Sequence, residues 1–351
     1  MSELPIQRIS HSQSSLVQRR VFSFLDQELR PNAGFSIRDE FPSLFHDFPG
    51  GDSLVIEKNG RVVSHVGIVA REFQHPEFRF KIGLVGSVAT VPDQQGQGLA
   101  TLLLRKATAE LKRRGCQLIL LWTDNPEFYQ PLGFERAGRE RDFKFTADQV
   151  PDIATPSVVF DSVKHGHLIW RLYLKHEGRL DRSLEEQRRL CKIPKTQIFV
   201  TEDKNQVTSY IAINKGADFS NYIHEWGGEL QAVRDNIAWV QKHHFKDTSL
   251  TLIAPSYYDL APLRAICVQE WPGVIGMMKV LDRGSLMAVY LGHLKRQGIV
   301  ADWNREKSLL VVDGKPHPLA DDAAYLRLCF GSEESPSLPV LPFFLWGFDS
   351  I

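Results

Sequence analysis

VPDQQGQGLATLLL, residues Val91–Leu104, has the clearest local pattern in this chain. A proline, three glutamines and two glycines lead without a break into an apolar run typical of a helix, and the strand-like segment KIGLVGSVAT comes directly before them. A strand, a glycine-rich turn and a helix in this order leave several backbone N–H groups together at the positive end of the helix dipole. The stretch therefore predicts an anion site, and phosphate is its natural ligand.

Spacing separates the known types of phosphate loop. The P-loop needs a lysine directly after its last glycine, whereas Gly98 is followed by Leu99 and Ala100. The dinucleotide fingerprint needs a third glycine where Thr101 stands. The pattern that fits is Q-x-x-G-x-A, with Gln95 as its first residue, and its small residues let the backbone close on a diphosphate. The alternative is a glycine-rich turn that only connects a strand to a helix.

The composition excludes several classes of protein. The chain has 351 residues, 43% of them hydrophobic, with 42 basic and 42 acidic side chains, so we expect folded domains and no nucleic-acid partner. No signal peptide and no apolar window of membrane-spanning length is found, which predicts a soluble, cytoplasmic protein without a membrane partner. Scattered single cysteines predict neither disulfides nor a metal site: Cys116, Cys191, Cys267 and Cys329.

Hydrophobic periodicity predicts both helices and strands in the first part of the chain. A helix is expected over residues 14–29 with Ser14 or Ser15 as its cap, and a hairpin is expected around Asn59-Gly60. The helix after the glycine-rich loop should end near Arg114. A buried strand, CQLILLWT, follows it, and the last strand of this unit is expected near RDFKFTADQ.

A repeat indicates that this unit is duplicated. The segment VIEKNGRVVSHVGI at 55–68 aligns without gaps on VTEDKNQVTSYIAI at 200–213, and it is followed in both copies by a strand, a helix and an apolar strand. Chance alternation in two hairpins is the alternative. The second copy lacks the glycine-rich loop, so the function of that loop belongs to the first copy alone.

A second motif lies about thirty residues after the loop. Residues 124–134 read DNPEFYQPLGF. Together, the Q-x-x-G-x-A loop and this F-Y-x-x-L-G-F element resemble the GNAT family of N-acetyltransferases over residues 35–150. The resemblance implies an α+β fold of GNAT type, in which a mixed central sheet is flanked by helices. Pro131 departs from the family pattern and should shorten the helix that carries Tyr129.

The resemblance implies a site for acetyl-CoA. Two strands, around 84–91 and 117–123, should splay apart, and a bulge in the first should free backbone groups for pantetheine, with an N–H near Val88 able to stabilise the oxyanion. Tyr129 is implied as the general acid that protonates the departing thiolate, with packing as the alternative role. The implied cofactor-binding residues are Val88, Ala89, Thr90, Gln95, Gly96, Gln97, Gly98, Leu99, Ala100, Thr101 and Asn125.

The general base is not singled out by any pattern. Four side chains lie on or near the strands that should face the cleft: His65, Glu72, His75 and Ser87. The apolar ending PVLPFFLWGFDSI, the length and the repeat resemble the Eis-like acetyltransferases, in which the terminal carboxylate can serve as base; here it belongs to Ile351. Apolar packing of the tail is the alternative.

The Eis-like resemblance implies three domains: a catalytic GNAT domain at 1–150, a degenerate GNAT-like domain at 151–275 and a small sterol-carrier-like region at 276–351. We expect an enzyme that moves an acetyl group from acetyl-CoA to a primary amine of a small molecule or protein, with no metal, in a chain that can form a homo-oligomer. An acetyl-CoA-binding sensor and an interaction protein with a vestigial GNAT domain are the alternatives. The acceptor stays open.

Overall fold

The structure, a computed structural model, describes residues 6–10, 16–46, 51–204, 206–332 and 337–351. The chain divides into two compact units. The first unit contains residues 1–138, 274–343 and Ile351, and the second contains residues 139–273 and 344–350.

The elements follow in chain order. Residues 1–138 form β1 (Ile6–Ser10), α1 (Leu16–Leu29), α2 (Ile37–Glu40), α3 (Pro42–Phe45), β2 (Gly51–Lys58), β3 (Arg61–His75), β4 (Phe78–Thr90), α4 (Leu99–Arg113), β5 (Leu118–Leu121), α5 (Pro126–Tyr129) and β6 (Glu135–Ala137). Residues 139–273 form β7 (Glu140–Phe145), β8 (Ser157–Val159), α6 (Gly166–Tyr173), β9 (Arg179–Leu180), α7 (Leu184–Leu190), β10 (Gln197–Asp203), β11 (Gln206–Lys215), β12 (Phe219–Gly228), α8 (Leu230–His243), β13 (Leu250–Pro255), α9 (Ala261–Arg264) and β14 (Gln269–Gly273). The rest form β15 (Gly276–Val280), α10 (Arg283–Arg296), β16 (Ala301–Asn304), β17 (Leu309–Val312), β18 (Lys315–Pro318) and α11 (Asp322–Phe330).

The sheet of the first unit has the strand order β1-β2-β3-β4-β5-β15-β6. Neighbours are antiparallel except β4 and β5, which run parallel and are joined through α4. Helix α4 buries Leu103, Ala107 and Leu111. The side chain of Leu111 takes the space over the sheet where Gly83 has no Cβ, because a Cβ there would lie 2.6 Å from Leu111 Cδ1. The glycine therefore lets helix and sheet approach closely.

The hairpin predicted at Asn59-Gly60 is confirmed. Asn59 (φ 50°) and Gly60 (φ 75°) both occupy the left-handed region that a tight two-residue turn requires. Strands β2 and β3 pair directly on either side of it, from Lys58 and Arg61 back to Gly51 and Val69.

The sheet of the second unit has the order β14-β7-β13-β12-β11-β10-β8. Its β10–β11 hairpin, the following strand β12, helix α8 and strand β13 repeat the sequence of elements from β2 to β5, and β12 and β13 are parallel like β4 and β5. The mixed α+β fold and its duplication are therefore confirmed.

One expectation about strand placement is wrong. The strand expected near RDFKFTADQ to close the first unit is β7, which pairs with β13 and β14 in the second sheet. Its expected place at the end of the first sheet is taken by β15 and β6. The chain reaches β15 only after residue 273, and no local pattern reports a pairing at that separation. The division into three domains stays a prediction, and Ser14 and Ser15, the predicted helix caps, lie outside the described residues.

Candidate functional site

The glycine-rich loop is a left-handed turn at the start of α4. Residues Pro92–Gln94 form one 3-10 turn, after which Gly96 and Gly98 both have φ of 74°. Gly98 stands directly before the helix, and no side chain caps the helix at this position. Two positive φ angles so close together turn successive amides toward the same side, the arrangement of a backbone anion nest.

The amides of this loop are unpaired. Among the described residues, no protein acceptor takes a hydrogen bond from the backbone N–H groups of six consecutive residues: Gly96, Gln97, Gly98, Leu99, Ala100 and Thr101. A Cβ added at Gly96 or Gly98 would meet no atom within 4 Å, so the loop borders open space. Unpaired donors at the N-terminus of a helix of 15 residues can bind a diphosphate.

Side chains fix the shape of the loop. Gln95 Nε2 donates to the carbonyl oxygen of Thr90 at 3.0 Å, which ties the loop to the end of β4. Lys58 Nζ donates to Gln94 Oε1 at 2.6 Å and to Gln97 Oε1 at 3.0 Å. Sequence reasoning missed Lys58, which brings a positive charge to this loop from the far end of β2. Its only sequence signal is its position directly before the Asn59-Gly60 turn.

Strand β4 has both features that the resemblance implies for a pantetheine site. Between the pairs Gly67–Gly86 and His65–Ala89, strand β3 has one residue and strand β4 has two, which is a β-bulge in β4. Its pairing with β5 covers only 82–84, so, within the described part of the chain, residues 85–90 have no strand partner on the β5 side. Backbone groups of this edge can pair with an extended, amide-containing ligand, except the carbonyl oxygens of Ser87 and Thr90, which are engaged by His65 and Gln95.

The bulge is strained and contains a buried polar atom without a partner. Ser87 has φ of 50°, a costly angle for a residue with a Cβ. Its Oγ is buried and makes no hydrogen bond to any described residue. The backbone of the bulge is held by His65, which is fully buried. The Nδ1 atom of His65 lies 2.7 Å from the Ser87 carbonyl oxygen, and its Nε2 atom lies 2.7 Å from Ser53 Oγ. His65 thus supports the bulge from the core.

The C-terminal residue lies against the same bulge. A Cβ at Gly86 would lie 2.6 Å from the carboxyl carbon of Ile351 and in still closer contact with its oxygen. Ile351 is 8% exposed. Gly86 has no positive φ, so its lack of a side chain serves this close approach and not the backbone angle. The terminal carboxyl group of Ile351 therefore lies beside Gly86, the residue before Ser87. Sequence reasoning gave no role to Gly86.

Tyr129 ends the short helix α5 and is buried between aromatic neighbours. Its ring makes edge contacts with Phe128 (4.9 Å between centroids) and Phe134 (5.9 Å). Burial raises the pKa of its phenol to about 12, and the hydroxyl forms no hydrogen bond to a described residue. The phenol is therefore protonated at neutral pH, and its O–H group can donate a proton or a hydrogen bond.

The remaining candidates lie in other surroundings. Asn125 is exposed at the start of α5, where its backbone N–H donates to Thr123 Oγ1. Glu72 lies 3.8 Å from Arg79 at the far end of the β3–β4 hairpin. Burial lowers the pKa of His75, whose ring stacks on Phe78. The structure does not bring these side chains to the Gly86–Ser87 bulge through any hydrogen bond or ion pair of the described residues.

Two other kinds of feature are absent from the described residues. In the described ranges no three His, Cys, Asp or Glu side chains are grouped so that they could hold a metal ion. None of the described helices is long and apolar enough to cross a membrane.

Part of the chain is similar to known acetyltransferases. Residues 17–137 match the family described as acetyltransferase (GNAT) domain. An uncharacterized N-acetyltransferase of Methanocaldococcus jannaschii is 34% identical over 87 residues, which cover 23% of this chain and 38% of that protein. An aminoglycoside 2′-N-acetyltransferase of Mycolicibacterium fortuitum is 32% identical over 101 residues, covering 27% and 51%. The matches thus span about half or less of the length of these relatives.

Solved structures share the fold over most of the chain. A probable N-acyltransferase of unknown function from Enterococcus faecalis V583 superposes with a TM-score of 0.62 at 13% identity, covering 79% of this chain and 72% of that one. Eis1 of Mycobacterium abscessus superposes with a TM-score of 0.54 at 14% identity, covering 81% and 75%. The chain therefore has a GNAT-type α+β fold, and its residues 17–137 are similar to GNAT acetyltransferase domains.

Proposed function

We propose that this protein transfers the acetyl group of acetyl-CoA to a primary amine. The observation that carries the proposal is the row of six unpaired backbone N–H groups from Gly96 to Thr101, which open α4 beside open space. These donors suit the diphosphate of coenzyme A. The unpaired edge of β4 after Leu84 suits its pantetheine arm, and the similarity to acetyltransferases favours turnover over binding alone.

The chain's own groups can supply each step. The amine nitrogen attacks the thioester carbonyl, an N–C bond forms, and the C–S bond then breaks. A backbone N–H at the bulge, for which we propose Val88, stabilises the oxygen that becomes negative. The Ile351 carboxylate accepts the proton that the ammonium must lose before attack, and Tyr129 donates its proton to the departing thiolate. The nitrogen of the new amide then loses its second proton, which restores the protonated Tyr129. Placing both reactants in one site contributes much of the rate.

The wider assignments are part of the same proposal. Residues 1–150 would hold the catalytic domain, residues 151–275 a GNAT-like copy without a cofactor loop, and residues 276–351 a sterol-carrier-like region, as in the Eis-like arrangement. The acceptor would be a small molecule or a protein amine. An aminoglycoside is one class to try, because one relative is an aminoglycoside acetyltransferase. We further propose a cytoplasmic protein that can form homo-oligomers.

The test is an acetylation screen across aminoglycosides, polyamines, amino acids and lysine peptides, with release of free coenzyme A as the measurement. We expect release that depends on one class of amine and that is lost in Gly98→Trp while the circular dichroism spectrum stays the same. Turnover that is unchanged in Gly98→Trp would contradict the assignment of the site.

Two results would favour a different function. If acetyl-CoA raises the melting temperature but no amine accepts an acetyl group, and Tyr129→Phe keeps its affinity, the protein is a sensor. For a dissociation constant in the micromolar range, acetyl-CoA at a hundred times that concentration should raise the free energy of unfolding by about 2.7 kcal/mol. If acetyl-CoA gives no such stabilisation, the domain does not bind this substrate.

A further inference from the structure

A buried ionic cluster lies in the second unit. Arg182 is fully buried in its side chain and donates through Nη1 and Nη2 to both carboxylate oxygens of Glu225, at 2.8 and 3.0 Å. Its Nη2 also lies 2.8 Å from Asp349 Oδ1. The guanidinium stacks on the ring of Tyr173 at 3.7 Å, and Tyr210 donates its hydroxyl to Glu225. We call these five residues the Arg182 cluster.

A cluster of this kind is costly to build. Burial raises the pKa of Glu225, an effect that the guanidinium of Arg182 opposes. Taking three charged groups out of water is repaid only where the geometry is close to ideal, and packed apolar side chains could fill the same space at lower cost. The cluster is therefore expected to have a role besides stability. Its Asp349 lies two residues before Ile351, the residue proposed as the base.

The cluster and its neighbours hold the C-terminal segment, residues 346–350, at many points. The Trp346 indole donates to the Gly178 carbonyl at 2.9 Å, and the Phe348 N–H donates to Glu225 at 3.3 Å. Buried Lys215 donates through Nζ to the carbonyl oxygens of Gly347 (2.8 Å) and Ser350 (2.7 Å).

The fit around Gly347 leaves this segment little freedom. A Cβ at Gly347 would lie 2.5 Å from His224 Cβ and 2.6 Å from the His224 carbonyl oxygen. Trp346 stacks on His176 with ring centroids 3.6 Å apart. Residues 346–350 are therefore held by ionic, backbone and aromatic contacts together.

We propose that the Arg182 cluster and Lys215 position the C-terminal carboxylate for proton transfer. They fix residues 346–350, and the carboxylate of Ile351 is one residue further along the chain. Arg182, Asp349 and Lys215 are positioning residues that act through Ile351. This inference rests on the proposed function of the carboxylate as base, and it adds the groups that hold it in place.

The test uses Lys215→Met and Asp349→Asn, which keep Arg182 paired with Glu225 and so avoid an unpaired buried cation. Lys242→Met is the matched control, because Lys242 lies in the same unit but pairs only with the exposed Asp152 in the contacts described. The first measurement is the rate at which a carboxypeptidase releases Ile351. We expect release at least about tenfold faster in both test variants and unchanged in the control.

The second measurement is turnover with and without Ile351. Misplacing a catalytic group by about 1 Å can cost about a hundredfold in rate, so Lys215→Met should lower kcat by about tenfold to a hundredfold and leave KM for acetyl-CoA within about twofold. In the protein that lacks Ile351, the same substitution should have no further effect, because the group it positions is gone.

Equal protection of Ile351 in all variants would overturn the proposal. So would an equal loss of kcat with and without Ile351, which is the pattern of a purely structural role. Failure of the proposed function is a separate result: absence of acetyl transfer in the parent protein would refute the activity, whereas release of Ile351 by carboxypeptidase would still report how the segment is held.

Discussion

Replacing Gly98 by alanine separates the strain of a left-handed residue from the loss of a phosphate site. Gly98 has φ of 74° and Gly115, at the other end of the same helix, has φ of 80°. A Cβ at either position would meet no atom within 4 Å. The two substitutions therefore cost the same in stability, about 1–2 kcal/mol for alanine at a left-handed angle.

Their effects on binding should differ. Gly98→Ala places a methyl group in the open space where we propose that the diphosphate lies, and Gly115→Ala does not. A hydrogen bond to a charged group is worth about 1.5–3 kcal/mol, so the loss of one contact weakens coenzyme A binding about tenfold to a hundredfold. Gly115→Ala should bind with the parent affinity.

Isothermal titration with coenzyme A gives the dissociation constants, and thermal unfolding of the free proteins checks that the two variants are equally destabilised. Equal affinity of both variants for coenzyme A would refute the proposed diphosphate site at Gly98, and so would binding of Gly98→Ala with the parent affinity.

Three further outcomes follow from the structure. Gly86→Ala, whose Cβ would collide with the Ile351 carboxyl group, should cost about 1–3 kcal/mol of stability, measured by denaturant unfolding, and removal of Ile351 should abolish that cost; a cost that persists without Ile351 would disprove the contact. Tyr129→Phe should lower kcat about a hundredfold with KM for acetyl-CoA unchanged, and since the phenol pKa is about 12, the pH profile of kcat should show no decline from Tyr129 ionisation below about pH 10; wild-type turnover in Tyr129→Phe would remove it as the acid. Burial lowers the pKa of His224 from 6.5 to about 3, so this side chain stays neutral in the folded protein while the unfolded chain takes up a proton below pH 6.5. Between pH 7 and pH 5 the parent should therefore lose about 2 kcal/mol more of its free energy of unfolding than His224→Gln, measured by urea unfolding. Equal losses in the two proteins would show that His224 does not titrate this way.

Features encoded in short stretches could be predicted from the sequence. The Asn59-Gly60 hairpin depends on two residues that accept left-handed angles, and α4 depends on an apolar stripe that follows a glycine-rich turn. The repeat predicted the order of elements in the second unit because alternation and helical periodicity are local. The bulge in β4 was expected only from the family resemblance, and it is present.

Features that depend on distant pairings could not be predicted. The insertion of β15 between β5 and β6 joins segments separated by the whole second unit, and β7 joins the other sheet for the same reason. Gly86 is a strand residue without any turn signal, and its reason is the Ile351 carboxyl group at the far end of the chain. Lys58 reaches the loop through side-chain geometry, and the pairing of Arg182 with Asp349 likewise depends on the folded chain.

The central claim is that the amides of residues 96–101 hold the diphosphate of coenzyme A. A crystal structure of the protein with coenzyme A tests it most directly. We expect diphosphate oxygens within hydrogen-bond distance of several of those backbone nitrogens, with the pantetheine arm along the open edge of β4. A diphosphate bound elsewhere on the protein, with these amides still unpaired, would contradict it.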